Sequence, residues 1–376
     1  MTPTEAELIE RAKTLVPALA ERAQACEDLR RLPAETLQNF EDAGFYEITK
    51  PRAYGGYEMS PEVLFNVAME LARGCPSSAW CMCLIGVHNW EPGLMDPRAA
   101  EDLWGVDPQV RFSSSYAPFG KIEHVEGGYR LSGRWEWSSG SDHCSWAMLG
   151  GLLPADDGPR QQVVMLVPRE DYQVVDNWHV AGLKGTGSND IVVEGAFIPD
   201  HRTHHLAEPS KNGFNSPIYA LPFGNVFALC LCAVTQGIAE AALENYTSYL
   251  RDRVHKYDGK AMATDPFQQR RLSEVAAEVR ANRQRFHGVF RHLEAALETA
   301  SVVPVEVQVQ ETWETQVIAH CNADLVTKLM RGSGGGAQRL DHPMQRYFRD
   351  INAAVAHAFL NLDRGSLQFA EIVLNE

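Results

Sequence analysis

Hydrophobic positions in this chain change period twice. Over the first hundred residues they recur at helical spacing, with Leu8, Ala12, Leu15, Val16 and Leu19 on one face. A second helix is predicted over residues 35–43, after the break at Leu32-Pro33, and the turn Arg52-Ala53-Tyr54-Gly55-Gly56 closes that part. Ser60-Pro61-Glu62 sets an N-cap before a proline at the first helical position, opening a helix to about Arg73. Cys75-Pro76-Ser77-Ser78 starts another, and residues 79–90 are apolar nearly all round, so that helix is expected to be buried.

Between residues 109 and 205 the period shortens to two. Ile122-Glu123-His124-Val125-Glu126 alternates and meets Gly127-Gly128, a hairpin signal, before a strand over 129–137. Further strands are predicted at 146–153, 161–167, 172–175 and 191–198, which suggests a small β-barrel or sandwich. Helical spacing returns over 226–250, 266–299 and 305–329, and from about Pro343 toward the end. Four long helices on short connections make an antiparallel bundle. The fold class is therefore α+β, mostly α, in three parts: a helical domain (1–108), a central β-domain (109–205), and a linker with a four-helix bundle (206–376). Residues 207–219 read as a substrate-side loop.

Composition narrows the partners. At 376 residues and 45% hydrophobic, the chain can bury more than one core. A net charge of −15 without any Lys/Arg run speaks against nucleic acid and anionic membrane. The longest strongly apolar run, 226–234, is too short to span a bilayer, and the acidic start has no signal-peptide core, so a cytoplasmic protein is expected. Cys81, Cys83, Cys230 and Cys232 have no companion pair at zinc spacing. They read as small core residues of a reduced protein, and no metal is expected.

Candidate chemistry gathers at Trp135-Glu136-Trp137-Ser138-Ser139-Gly140-Ser141-Asp142-His143, where a strand breaks into a loop. Indoles offer flat apolar walls and serines offer short donors, a surface suited to a planar heteroaromatic ligand such as an isoalloxazine. The same residues also suit an ordinary polar turn with two core tryptophans. Gly332-Ser333-Gly334-Gly335-Gly336-Ala337 matches a dinucleotide fingerprint, but it follows a helix rather than a strand. It reads first as a C-cap and interhelix turn.

Five stretches occur in order: Val87-His88-Asn89-Trp90, Ser113 to Pro118, Trp137-Ser138-Ser139-Gly140 with Asp142-His143, Gly182 to Asn189, and Arg349-Asp350 followed by His357-Ala358. With the helix–sheet–bundle order, this resembles the oxygenase components of two-component flavin-dependent aromatic monooxygenases built on the acyl-CoA dehydrogenase fold. The resemblance covers nearly the whole chain. It is nearest to hydroxylases of steroid-derived phenols and more distant from hydroxyphenylacetate hydroxylases. It implies a homotetramer using reduced flavin (FMNH2 or FADH2) as a diffusible cosubstrate, supplied by a separate NAD(P)H:flavin reductase. It also implies O2, a C4a-hydroperoxyflavin, and ortho-hydroxylation of a small aromatic substrate, a phenol, to a catechol.

The resemblance assigns roles residue by residue. Flavin would be held by Trp80, Ser114, Ser115, Tyr116, Trp137, Ser138, Ser139, Gly335, Gly336, His357 and Ala358, with Arg253 on a phosphate and Arg251 as a neighbouring register. Ser139 would donate near flavin N5. A neutral imidazole can deprotonate a phenol, so His357 is expected to be the base or the substrate orienter, on the last helix, with His88 lining the pocket. His143, His204 and His205 are left as structural or surface residues. The rival class, an acyl-CoA dehydrogenase, needs a carboxylate base; counted from Arg349-Asp350, its place falls on Ala358. An indole or heteroatom monooxygenase on the same frame is a further alternative. The chain ends at Glu376, earlier than the resemblance implies.

Overall fold

The computed structural model describes residues 2–153, 160–206, 214, 216–254 and 259–375. Most of the expected substrate-side loop, 207–213 and 215, lies outside the described residues.

The N-terminal helices follow their caps. α1 (Glu5–Leu29) starts in a reciprocal cap, with the Thr4 hydroxyl accepting from Glu7 N–H and the Glu7 carboxylate accepting from Thr4 N–H. α2 is Ala34–Asp42 and α3 is Pro61–Ala72, the latter capped by Ser60 as predicted. α4 (Pro76–His88) is buried at every position, as its unbroken apolar surface requires. α5 (Pro97–Trp104) was not legible in the pattern; its apolar face is only Ala99, Ala100, Leu103 and Trp104.

Seven strands follow: β1 (Phe112–Val125), β2 (Gly128–Ser138), β3 (Trp146–Leu152), β4 (Gln162–Pro168), β5 (Tyr172–Val175), β6 (Asn189–Pro199) and β7 (Thr203–His205). They form one sheet in the order β5-β6-β2-β1-β3-β4-β7. β1 is shared between two halves. Its first part runs parallel to β3, from Phe112↔Trp146, and its last part pairs antiparallel with β2 through the Gly127-Gly128 hairpin. The register shifts between Ser115 and Gly120, and there the strand turns from one half to the other. Leu131, Trp135, Leu149, Met165 and Ile191, drawn from both halves, share one core.

The bundle comprises α6 (Phe223–Asp252), α7 (Pro266–Thr299) and α8 (Val305–Gly332), with α9 (Pro343–Ala354) and α10 (Leu362–Asn375) in place of the single last helix that was predicted. The break has a local cause: His357 Nδ1 accepts the N–H of Phe359 and caps a short 3-10 turn at Ala358–Leu360. His357 therefore sits in the connection between helices, not on one. A buried amide string ties three helices together. Asn282 donates to Asn322 (2.9 Å), Asn322 to Gln236 (3.0 Å), and Gln236 to the carbonyl of Val279 (3.0 Å). By length and composition α6 could cross a membrane, which corrects the reading of its apolar run as too short. In the folded protein 89% of that window is buried, so α6 is a core helix. All eight cysteines are free, and all but Cys321 are buried.

Candidate active site

The Trp-Ser-Ser stretch lies on a bulged strand end rather than in a loop. β2 pairs with β6 up to Trp135↔Ile191 and resumes at Ser138↔Asn189, so Glu136 and Trp137 are unpaired. Trp137 takes a left-handed backbone (φ 66°) and is 62% exposed. Trp135 is buried and donates its indole N–H to the carbonyl of Gly150 at 2.8 Å. Ser115 Oγ donates to the carbonyl of Glu136 (2.8 Å) and thereby holds the bulge; this hydroxyl is spent on the protein. Ser138 Oγ is fully buried without a protein partner among the described residues. Ser139 Oγ receives the indole N–H of Trp80 at 3.1 Å and lies 2.8 Å from Ser188 Oγ.

A second cluster forms where α4 ends. His88 is buried, with Nδ1 2.9 Å from the carbonyl of Phe112 and Nε2 2.8 Å from Ser114 Oγ. A carbonyl can only accept, so Nδ1 carries the proton and neutral Nε2 accepts from the Ser114 hydroxyl. Burial lowers the His88 pKa, and the charge of Glu91 opposes that shift. The ring stands beside Tyr116 and Phe227, at 6.3 and 5.6 Å between centroids. Tyr116 meets Phe223 and Phe227 edge-on, both at 5.0 Å, and Phe359 closes the cage at 6.0 Å from Phe227.

Phe359 links the two clusters. Its ring is 5.9 Å from His357, and His357 is 6.0 Å from Trp80. Burial among these rings pushes the His357 pKa down to about 4, so the imidazole is neutral at physiological pH. Ala358, where a dehydrogenase base would stand, opens the 3-10 turn and is exposed.

One polar group in the cage was not legible in the sequence. Glu91 is fully buried; it accepts from the Tyr116 hydroxyl at 2.5 Å, and its other oxygen is 2.8 Å from His204 Nε2. His204, read as structural or surface, is thus a buried partner of the cage. The signal available was a carboxylate directly after Trp90, at the end of the mostly apolar 79–90 run, because such a group is buried only when paired. A cavity of about 180 Å³ between α8 and α10 and one of about 40 Å³ beside Tyr46 both lie away from these residues.

Comparison with known proteins identifies the family. Residues 2–90 match the acyl-CoA dehydrogenase N-terminal domain family and residues 229–362 its C-terminal domain family. The chain is 36% identical over 369 residues to the oxygenase subunit HsaA of a flavin-dependent monooxygenase from Rhodococcus jostii (strain RHA1), across 96% of each. It is 31% identical over 372 residues to the oxygenase component of p-hydroxyphenylacetate 3-hydroxylase from Acinetobacter baumannii, covering 95% of this chain and 86% of that one. The chain belongs to the oxygenase components of flavin-dependent monooxygenases built on the acyl-CoA dehydrogenase fold. A solved structure of XiaF from Streptomyces sp. in complex with FADH2 and glycerol superposes at a TM-score of 0.92. It has 25% identity over 99% of this chain and 96% of that one.

The residues of this oxygenase fit a flavin. The orphaned Ser138 hydroxyl and the Trp80–Ser139 pair offer buried polar atoms beside flat indoles. Arg253 stacks over Tyr249 (5.3 Å), and a Cβ on Gly336 would stand 3.5 Å from the Arg253 guanidinium. Gly335 and Gly336 open the 3-10 turn after α8, as the C-cap reading anticipated. This corner and the ring cage are not neighbours. Phe227 lies near the start of α6 and Arg253 just past its end, about 39 Å apart at about 1.5 Å per residue.

Proposed function

We propose that the chain is the oxygenase of a two-component system that hydroxylates a phenol ortho to its hydroxyl, giving a catechol. Reduced flavin and O2 are the cosubstrates, and a separate reductase supplies the flavin. The observation that carries this reading is the His88–Ser114 pair set into the cage of Tyr116, Phe223, Phe227 and Phe359. When bound, reduced flavin supplies, with O2, an electrophilic oxygen atom. The chain's own residues do the rest.

A phenol ring attacks such an oxygen more readily once ionised, so the site needs a proton acceptor. Ser114 passes its proton to Nε2 of His88 as it takes the proton of the phenol, leaving phenolate and imidazolium. Glu91 is the nearby negative charge that favours this transfer. His357, neutral and packed between Trp80 and Phe359, orients the ring rather than taking its proton. Trp80, Ser138 and Ser139 line the flavin side, with Ser139 as donor to the flavin edge. XiaF, solved with FADH2, makes reduced FAD the first flavin to test.

The experiment is anaerobic titration with reduced FAD and reduced FMN, followed by mixing with O2 and a panel of phenols. Catechol formation in step with flavin oxidation supports the reading. Oxidation of coenzyme A thioesters, or hydrogen peroxide as the only product, would overturn it.

A five-carbon ribityl chain spans far less than the roughly 34 Å of α6 between Arg253 and Cys230, which touches Cys83 one turn from Trp80 on the flavin side. We therefore assign the Arg253–Gly336 corner of one copy to the ring site of another, in a homotetramer. Mixing Arg253→Ala and Ser139→Ala variants should then restore flavin binding at a fraction of sites, and no restoration would count against it.

A further inference from the structure

We propose that Ser188 and Thr186 are positioning residues that decide in which direction the Ser139 hydroxyl donates. The proposal rests on the reading that Ser139 meets the flavin edge. Three hydroxyls form an unbroken string: Ser139 Oγ is 2.8 Å from Ser188 Oγ, which is 2.7 Å from Thr186 Oγ1, which donates to the carbonyl of Leu183 at 2.9 Å. Ser139, Ser188 and Thr186 are buried.

Each hydroxyl has one proton, so the string has a sense. Thr186 gives its proton to Leu183 and must therefore accept from Ser188. Ser188, its proton spent, accepts from Ser139. In this sense the Ser139 proton points into the protein, and the Trp80 indole N–H fills a lone pair of the same oxygen. A bound flavin would find no donor there.

The opposite sense is available without moving a heavy atom. If Thr186 turns its proton toward Ser188, and Ser188 toward Ser139, the Ser139 hydroxyl is free to donate outward. It then accepts from both Ser188 and Trp80, which polarises it further. The reversal strands no buried group. The Leu183 carbonyl keeps the Trp178 indole N–H (3.0 Å) and the Thr186 backbone N–H (3.2 Å).

The frame around the string is rigid. Leu183 has a left-handed backbone (φ 52°), and its N–H donates to Asp350 at 2.7 Å. A Cβ on Gly182 would stand 2.1 Å from the carbonyl oxygen of Arg349, so that glycine lies flat on α9. Gly140 N–H donates to the Thr186 carbonyl at 2.8 Å and fixes the turn that carries Ser139. Only the protons are left to rotate, and arrival of an acceptor at Ser139 selects the outward sense.

The test measures anaerobic dissociation constants for reduced FAD, and the absorbance spectrum of the bound flavin, with melting temperature as the fold control. Ser188→Ala and Thr186→Val should each tighten binding by about 2- to 10-fold, the worth of one net hydrogen bond, because neither variant gives up the Thr186–Leu183 bond when Ser139 turns outward. Thr186→Ser, which keeps the hydroxyl, should bind like the parent. Adding Ser188→Ala to Ser139→Ala should change nothing further, because the string acts only through Ser139. Thr186→Val preserves side-chain shape and carries the test if Ser188→Ala does not fold. Unchanged or weakened affinity in Ser188→Ala and Thr186→Val, or a change that persists when Ser139→Ala is added, would overturn the proposal while leaving Ser139 at the flavin. If Ser139→Ala itself alters neither affinity nor spectrum, the placement of Ser139 fails, and the proposal with it.

Discussion

His88 turns one ring nitrogen to the carbonyl of Phe112 and the other to the Ser114 hydroxyl, 2.8 Å away. The carbonyl fixes the tautomer, so the nitrogen facing Ser114 can only accept. Replacing His88 with Ala should leave reduced-flavin binding nearly intact and lower oxygen transfer by about 10²–10⁴-fold. The deficit should shrink at high pH, where the phenol ionises unaided. Because burial lowers the His88 pKa, the parent should keep coupled turnover into more acidic solution than an ordinary histidine, near 6.5, would allow. Single-turnover product yield across pH checks both statements. A deficit of constant size at every pH would remove His88 from proton transfer.

His357 behaves differently under the same measurement. With a pKa of about 4 it stays neutral from about pH 5 to 8. His357→Ala should lower product yield by a factor that does not recover at high pH. His357→Phe, which restores a ring between Trp80 and Phe359, should recover part of it. Recovery of the alanine variant at high pH would make His357 the base instead.

Asp350 links stability to pH. It is fully buried, one oxygen accepts from Leu183 N–H, the other has no partner among the described residues, and burial raises its pKa to about 7. The folded carboxyl keeps its proton over a range in which the unfolded one has lost it, so stability falls as pH rises from about 4 to about 7. Asp350→Asn keeps the acceptor and never ionises. It should flatten that fall and exceed the parent above neutrality by up to roughly 4 kcal/mol, at 1.36 kcal/mol per pKa unit. Urea denaturation at a series of pH values checks it, and parallel curves for the two proteins would refute it.

Glu91 serves two partners at once, the buried His204 and the partly buried Tyr116. Glu91→Ala strands the Tyr116 hydroxyl and His204 Nε2, and should cost about 3–5 kcal/mol of stability. Glu91→Gln keeps an acceptor and should cost less. Urea midpoints at unchanged slope report the difference; a small, equal shift in both would mean that the pair contributes little.

Much of the fold was legible because its causes are local. A cap and a proline at Ser60-Pro61 start α3, a Gly-Gly pair turns β1 into β2, and a glycine run after α8 ends that helix. These signals act between residues a few positions apart, and one chain read alone contains them. The residues at the site were named by type and order for the same reason: Trp137-Ser138-Ser139, His88 and His357 stand out as chemistry in otherwise apolar or turn-forming stretches.

What each of them does was decided elsewhere in the chain. His204 and Glu91 are 113 positions apart, and nothing in the run around either one announces the other. Ser139 owes its orientation to Trp80, 59 positions before it, and to Ser188, 49 after. The bulge that turns Trp137 outward comes from its pairing with β6. Periodicity determines which face of an element is buried, because burial follows the repeat of the backbone. It does not determine which buried donor meets which acceptor, because that depends on elements brought together only when the sheet closes against the bundle.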